Sequence, residues 1–319
     1  MRNRSMGALV AVLLFLTACA GSTDTFAPAD GSSSVATPVA SPAAAYPQTL
    51  TDDDGQPVTI DAMPQRIVTF APSMTEIVFA LGMGDRVVGV SGKYDDYPAA
   101  AKSVQEVGGA GDFGVDPNIE EVVSLQPDLF LTIAGGDQWK QRLRDLGIPV
   151  VTLDATDFPD LLHDIRTVGD LIGAPAAADE LTADMQRRAD DVAASVEQAG
   201  GPVTCFFEVY YPPLTTLGPH TYIFDLLKRA GCDPVTASAK TDYPTWSIEK
   251  LVAESPDVYL STPESAKSAQ AVAARPGFDA IAAVAEGRVL LVDSDLVTRA
   301  GPRAIDGLEE LAAALHPST

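Results

Sequence analysis

Residues 119–132 and 248–261 agree at six of 14 positions with no gap and a constant offset of 129. Ile119 matches Ile248, Glu120 matches Glu249, Val123 matches Val252, Pro127 matches Pro256, Asp128 matches Asp257 and Leu131 matches Leu260. Each copy reads as a short helix, a turn at Pro-Asp and a brief apolar strand, which is one unit of a parallel α/β sheet. One copy falls in each half of the chain. That arrangement predicts two similar lobes with a cleft between them and excludes a short-period solenoid. Function is to be sought in the cleft and on the paired lobe surfaces.

The beginning of the sequence carries a second signal. Arg2 and Arg4 precede an apolar run over residues 6–15, too short to span a bilayer, and Leu16-Thr17-Ala18-Cys19 follows. Small residues before a cysteine resemble a bacterial lipobox. On that reading residues 1–18 are a signal peptide and Cys19 becomes the lipidated first residue. An ordinary secretory signal cut nearby, with Cys19 incidental, is the alternative. Residues 19–47 are Ala, Ser, Thr, Pro and Gly with almost no large apolar side chain, the composition of a disordered tether. The expectation is an extracytoplasmic globule held to the cell membrane by a lipid.

Forty-four acidic residues stand against 21 basic ones, a formal net charge of −23. Such a surface repels phosphate backbones, so nucleic acid is not an expected partner. Of the three cysteines, Cys205 lies early in an apolar strand and Cys232 follows a helix running back beside it. A disulfide and a pair of buried free thiols are both compatible with that placement.

The remaining signals divide the chain into a lobe over residues 48–172, a backbone helix over 173–200 and a second lobe over 201–319. The first opens with a hairpin whose turn is Asp53-Asp54-Gly55, then has buried strands at 66–70, 86–90, 128–132 and 149–153. Pro175 at a permitted first-turn position, Leu181, Met185, Val192 and Val196 at helical spacing, and Gly200-Gly201 as a stop define one helix of about 37 Å. The second lobe offers strands at 203–209, 257–260 and 288–292 and a closing helix at 302–315. The predicted fold is α/β, with two Rossmann-like lobes built on central parallel sheets and joined by one long helix, and the protein is expected to be a monomer.

Residues 66–82, from Arg66-Ile67-Val68 through Ala71-Pro72-Ser73 to Leu81-Gly82, followed by Asp85-Arg86-Val87-Val88-Gly89-Val90 and Asp96-Tyr97-Pro98, resemble the opening of the substrate-binding proteins of ABC importers for vitamin B12, ferric siderophores and haem. Leu146-Gly147-Ile148-Pro149-Val150 and Gly301-Pro302-Arg303 resemble the same family in the same order. The resemblance implies two lobes joined by one long helix. It also implies that a glutamate on each lobe, here Glu120 and Glu249, docks against arginines of a two-fold permease. Taken alone, each glutamate would only complement its helix dipole.

Ligands of parallel sheets sit beyond the carboxyl ends of the strands. That rule selects Ser73, Tyr94, Phe113, Asp137, Trp139, Tyr211, Tyr222, Trp246 and Arg299 as ligand contacts, with Tyr97, Tyr210, His220 and Tyr243 nearby. Aromatic rings among a few polar groups suit a large, rigid, partly apolar cargo such as a corrinoid or an iron chelate. Ser73 could equally cap a helix, Tyr97 and Tyr243 could pack turns, and Trp139 could belong to the apolar face of a helix. No cluster of arginines accompanies these residues, which weighs against an anionic siderophore, while His220, Tyr210, Tyr211 or Tyr222 could ligate haem. With only His163, His220 and His316, a bare zinc or manganese site is not expected. No nucleophile and base, and no phosphate-cradling loop, suggests an enzyme or a resident cofactor.

Overall fold

The computed structural model of the protein describes residues 45–108 and 116–317. Its first sheet is built from β3 (Ile67–Phe70), β4 (Val87–Val90), β5 (Leu129–Thr132) and β6 (Val150–Thr152), preceded by an antiparallel hairpin of β1 (Gln48–Thr51) and β2 (Pro57–Ile60). The spatial order β4-β3-β5-β6 is parallel throughout. These strands are nearly continuous Val, Ile, Leu and Phe, as strands covered on both faces require. The crossovers are α1 (Pro72–Ala80), α2 (Ile119–Ser124) and α3 (Asp137–Asp145), and α4 (Phe158–Ile172) follows β6.

Helix α5 (Pro175–Gln198) leads to the second sheet. There β7 (Val203–Phe207), β8 (Cys232–Pro234), β9 (Val258–Ser261) and β10 (Val289–Leu291) lie parallel in the order β10-β9-β7-β8. Helices α6 (Tyr222–Arg229), α7 (Ile248–Glu254), α8 (Ala269–Ala273), α9 (Ala282–Ala285), α10 (Ser294–Val297) and α11 (Ala304–Leu315) surround it. Strand β8 is not among the strands expected from sequence. Its Cys232 pairs with Val203 in register, and a disulfide joins Cys232 to Cys205 with the Cα atoms 5.7 Å apart.

The duplicated segment keeps its geometry in both lobes. Asn118 caps α2 and Ser247 caps α7, so Glu120 and Glu249 are each the second residue of a short helix. Each helix is followed by a non-glycine residue in the left-handed region, Gln126 and Ser255, both at φ 48° and 129 positions apart. Asp128 then accepts the N–H groups of Gln65 and Arg66, each at 2.8 Å, and Asp257 accepts the N–H and hydroxyl of Thr204 at 3.0 and 2.6 Å. In both lobes the aspartate of the Pro-Asp turn thus ties one strand to the start of its neighbour.

Helix α5 is about 36 Å long at 1.5 Å per residue. Its buried residues Ala178, Thr182, Met185, Ala189, Val192 and Val196 form a single stripe at spacings of three and four. Gly169 of α4 permits the close approach of that stripe, since a Cβ there would lie 2.4 Å from the Ala178 methyl group. On the other side Arg188 grips Glu309 at 2.6 and 2.8 Å and Asp306 at 2.6 Å, both on α11. One apolar cluster runs from Ile67 in β3 through Leu161 and Met185 to Phe207 and Leu308, so it is common to both lobes. Two smaller clusters back the outer face of each sheet. No helix of the described residues is long and apolar enough to cross a membrane.

Candidate functional site

Because each sheet is parallel, the loops that follow its strands gather at one edge, and those loops carry most of the large apolar groups left in contact with water. Tyr94 and Tyr97 follow β4, Ile133 follows β5, Tyr210 follows β7 and Tyr243 precedes α7, with exposures of 40 to 59%. Single exposed apolar residues are ordinary, but their concentration on strand-end loops of both lobes marks a surface built to be covered. The phenol of Tyr243 is raised by local desolvation of its hydroxyl, although the ring is exposed, and then by the carboxylates of Asp154 and Asp242. Asp154 lies just beyond β6, so the second lobe's loop faces the strand ends of the first.

An ion cluster bridges the lobes at this edge. Glu76, in the middle of α1, is only 2% exposed. It receives Arg303 through Nε at 2.9 Å and Nη2 at 2.6 Å, and Arg299 through Nη1 at 3.1 Å. Arg299 also pairs with Asp295 at 2.7 Å and Asp96 at 3.6 Å, and the Arg303 guanidinium lies 4.1 Å from the centre of the Tyr97 ring. Its hydrogen bonds to the Glu76 carboxylate raise the Arg303 pKa despite its burial. A Cβ on Gly301 would lie 3.6 Å from the Ser73 Cα, which places this loop against the first turn of α1.

A second cluster lies inside the other lobe. Glu208, the residue after β7, is fully buried and accepts from Arg275, Tyr259, Ser261 and Ser265, with Arg275 Nη2 at 3.1 Å and the Ser261 hydroxyl at 3.1 Å. Burial alone would push its carboxyl up, but hydrogen bonds from Arg275, Ser265 and Tyr259 outweigh that and hold it below the ordinary value. The other face of the Arg275 guanidinium covers the Tyr211 ring at 4.3 Å, and Tyr211 stands edge-on to Phe278 at 5.2 Å. Beyond β4, Asp95 is buried and accepts from Thr75, Ser91 and the N–H of Gly92, the last at 3.0 Å; its pKa is raised by burial in spite of them. Sequence reasoning passed over Glu76, Glu208 and Arg275. The available signal was an acidic residue inside an apolar run, at residues 74–81 and 203–209, because such a charge must find a buried partner.

The expected contact residues are distributed as follows. Ser73 is buried at the start of α1, Tyr94 is exposed with the Lys93 ammonium 5.0 Å from its ring centre, and Asp137 is exposed as the first residue of α3. Tyr211 is half-buried beneath Arg275, and Arg299 belongs to the bridging ion cluster. Three aromatic residues expected in the cleft occupy packing positions instead. Trp139 is buried against Phe70 and Phe130 at 5.3 and 5.7 Å, its indole folded over Gly136, where any Cβ would meet the ring nitrogen. Trp246 is buried, donates to Glu254 at 2.9 Å and carries Lys250 over its ring at 3.3 Å. Tyr222 is buried in the common apolar cluster at the head of α6. Burial of ring area outweighs display in all three. Glu120 and Glu249 are exposed. Cys19 and Phe113 lie outside the described residues.

Among the described residues no group of His, Cys, Asp and Glu is arranged to hold a bare metal ion. Two concavities of about 290 and 270 Å³ open on the first lobe, one beside β4 and one beneath the hairpin. Both fall below the usual range of roughly 300 to 1,000 Å³ for small-molecule sites, and neither carries the aromatic residues of the strand-end loops.

Residues 67–296 match the family model described as Periplasmic binding protein. The ABC transporter substrate-binding lipoprotein YvrC of Bacillus subtilis, itself uncharacterized, is 38% identical over 283 residues, 86% of this chain and 87% of that protein. A cobalamin-binding protein of Halobacterium salinarum is 31% identical over 289 residues, 87% of this chain and 76% of its own length. Among solved structures, the periplasmic vitamin B12 binding protein BtuF of Vibrio cholerae superposes with a TM-score of 0.70 at 24% identity, covering 79% of this chain and 97% of that one.

Proposed function

Since the chain belongs to the periplasmic binding protein family, we propose that it is the extracytoplasmic receptor of an ABC importer, one that captures a corrinoid of the cobalamin type between its lobes. The observation that carries this reading is the set of exposed rings on facing strand-end loops, Tyr94, Tyr97, Tyr210 and Tyr243, which suits a broad, rigid, partly apolar cargo. The similarity to a cobalamin-binding protein supports the same cargo. Tyr94, Tyr211, Asp137 and Ser73 are its proposed contacts.

Delivery would follow from the duplicated segment. Glu120 and Glu249, exposed at equivalent places on the two lobes, would pair with two symmetric arginine sites of a permease and its ATPase. A ligand bound by both lobes is released when docking favours their separated arrangement, so the permease needs a higher affinity for that state than for the closed one. Cys19 would carry the lipid that holds the receptor at the membrane, as the name of the Bacillus subtilis relative supports. In this reading the chain performs no chemistry on its cargo.

A second reading is haem. Tyr210 and His220 are both exposed on the second lobe's rim and could supply an axial ligand. Titrating the full-length chain in detergent micelles with cyanocobalamin, haemin and a ferric hydroxamate, followed by tryptophan fluorescence and visible absorbance, decides between them. Saturable binding of cyanocobalamin alone is expected. A haemin complex with a shifted Soret band, and no cyanocobalamin binding, would replace the corrinoid reading.

A further inference from the structure

The strand-end loops hold arginines, yet each one's charge is already answered. Arg299 and Arg303 converge on the buried Glu76, with Asp96 and Asp295 completing the cluster, so three carboxylates meet two guanidinium groups. Arg275 has both of its terminal nitrogens on the buried Glu208 and its face against Tyr211. A guanidinium committed in this way has spent the paired N–H groups with which arginine grips a ligand carboxylate or catecholate. Lys93, Lys240 and Lys267 stand on the same loops and are matched there by Asp137, Asp154 and Asp242, which leaves the extra carboxylate of the Glu76 cluster unanswered. The chain as a whole carries −23. The field over the rim is therefore negative where an anionic chelate would have to approach.

We propose that Glu76 and Glu208, by holding Arg299, Arg303 and Arg275, set the charge selectivity of the site, so that it accepts neutral or cationic metal chelates and rejects anionic ones. The proposal rests on the receptor reading but not on the identity of the cargo. It makes the two glutamates specificity-determining residues that never touch the ligand. Their burial is part of the device. A carboxylate excluded from water keeps its arginine through changes of salt that would loosen a surface pair.

The test compares four chelates on the full-length chain: neutral cyanocobalamin, a neutral ferric trihydroxamate, the cationic ferrioxamine B and an anionic ferric tris-catecholate. At low ionic strength the best neutral or cationic chelate is expected to bind at least about 100-fold more tightly than the catecholate, since like-charge juxtaposition costs several kcal/mol. Raising the salt should weaken ferrioxamine B and strengthen the catecholate. In Glu76→Gln and Glu208→Gln, each checked for an unchanged circular dichroism spectrum, the catecholate should gain about tenfold or more while the neutral chelates change little. Should either variant fail to fold, the salt dependence of the unaltered protein decides alone. Binding of the hydroxamates without cyanocobalamin would overturn the corrinoid reading and leave the charge selectivity standing. Tightest binding of the catecholate, or salt slopes of the opposite sign, would overturn the selectivity and leave the receptor reading intact. If none of the four bound, the selectivity and the corrinoid reading would both fall, and the haem reading of the receptor would stand in their place.

Discussion

Replacing Asp164 with Asn is expected to stabilise the protein near neutral pH and to flatten its dependence on pH. Asp164 lies on α4 at 4% exposure, and its carboxyl is pushed up to about 8, first by burial and then by the charges of Asp53, Asp160 and Asp154. In the unfolded chain the same group titrates near the ordinary value of 3.8. Between those limits the folded protein binds one proton that the unfolded chain has released. Its contribution is therefore greatest below about pH 4 and is lost as pH rises toward 8, at about 1.4 kcal/mol per pH unit. By pH 7 that amounts to about 4 kcal/mol, an upper figure because burial is relieved in part by relaxation. Asparagine carries no titrating proton and still offers an acceptor to the Ala155 N–H. Any misfit of its amide subtracts a constant, so the diagnostic is the slope of the difference between variant and parent. Urea unfolding of both proteins at pH 5, 6, 7 and 8, followed by circular dichroism, measures it. In a chain of this size, 4 kcal/mol corresponds to roughly 8 °C in melting temperature. Parallel stability curves for the two proteins across that range would show that Asp164 is ionised in the fold and would refute the reasoning.

Glu120→Ala and Glu249→Ala should each lower uptake by about tenfold or more in proteoliposomes containing the permease while leaving cargo affinity within about twofold, because the lost interactions are with the transporter; a fall in cargo affinity of the same size would place these residues in the binding site instead. Reducing the Cys205–Cys232 bond, which closes a loop with a sequence separation of 27, should cost about 3.5 kcal/mol by chain entropy. Equal urea midpoints with and without dithiothreitol would count against that figure.

Those features whose partners lie close along the chain were legible in the residues alone. The hairpin turn, the two copies of the helix-turn-strand segment and the long helix, expected within 173–200 and found over Pro175–Gln198, follow from local periodicity and capping. Strand β8 was not legible. Cys232, Asp233 and Pro234 have no apolar alternation, and the segment is a strand only because β7 offers it an edge. The ion clusters were hidden for a different reason: Glu76 and Arg303 are 227 residues apart, and no local pattern announces such a pairing. The aromatic residues were ambiguous in principle. Trp139 is decided by Phe70 and Phe130, Trp246 by Glu254 and Lys250, and a ring that packs looks in sequence like a ring that binds.

The apolar cluster shared by the two lobes also decides how a captured cargo would announce itself. With Met185 and Val192 of α5 in the same continuous interior as Leu131 and Leu260, the largest apolar cluster belongs to both lobes at once and exceeds the smaller cluster behind each sheet, which couples the melting of one lobe to that of the other. Heat should thus undo the described fold in one cooperative step. A compound seated between the lobes then raises the temperature of that single step by mass action, about 2.7 kcal/mol of added stability at 100 times its dissociation constant. A melting curve becomes a detector that needs no colour in the ligand and no assumption about its chemistry, which opens the search to colourless compounds that an absorbance titration cannot register.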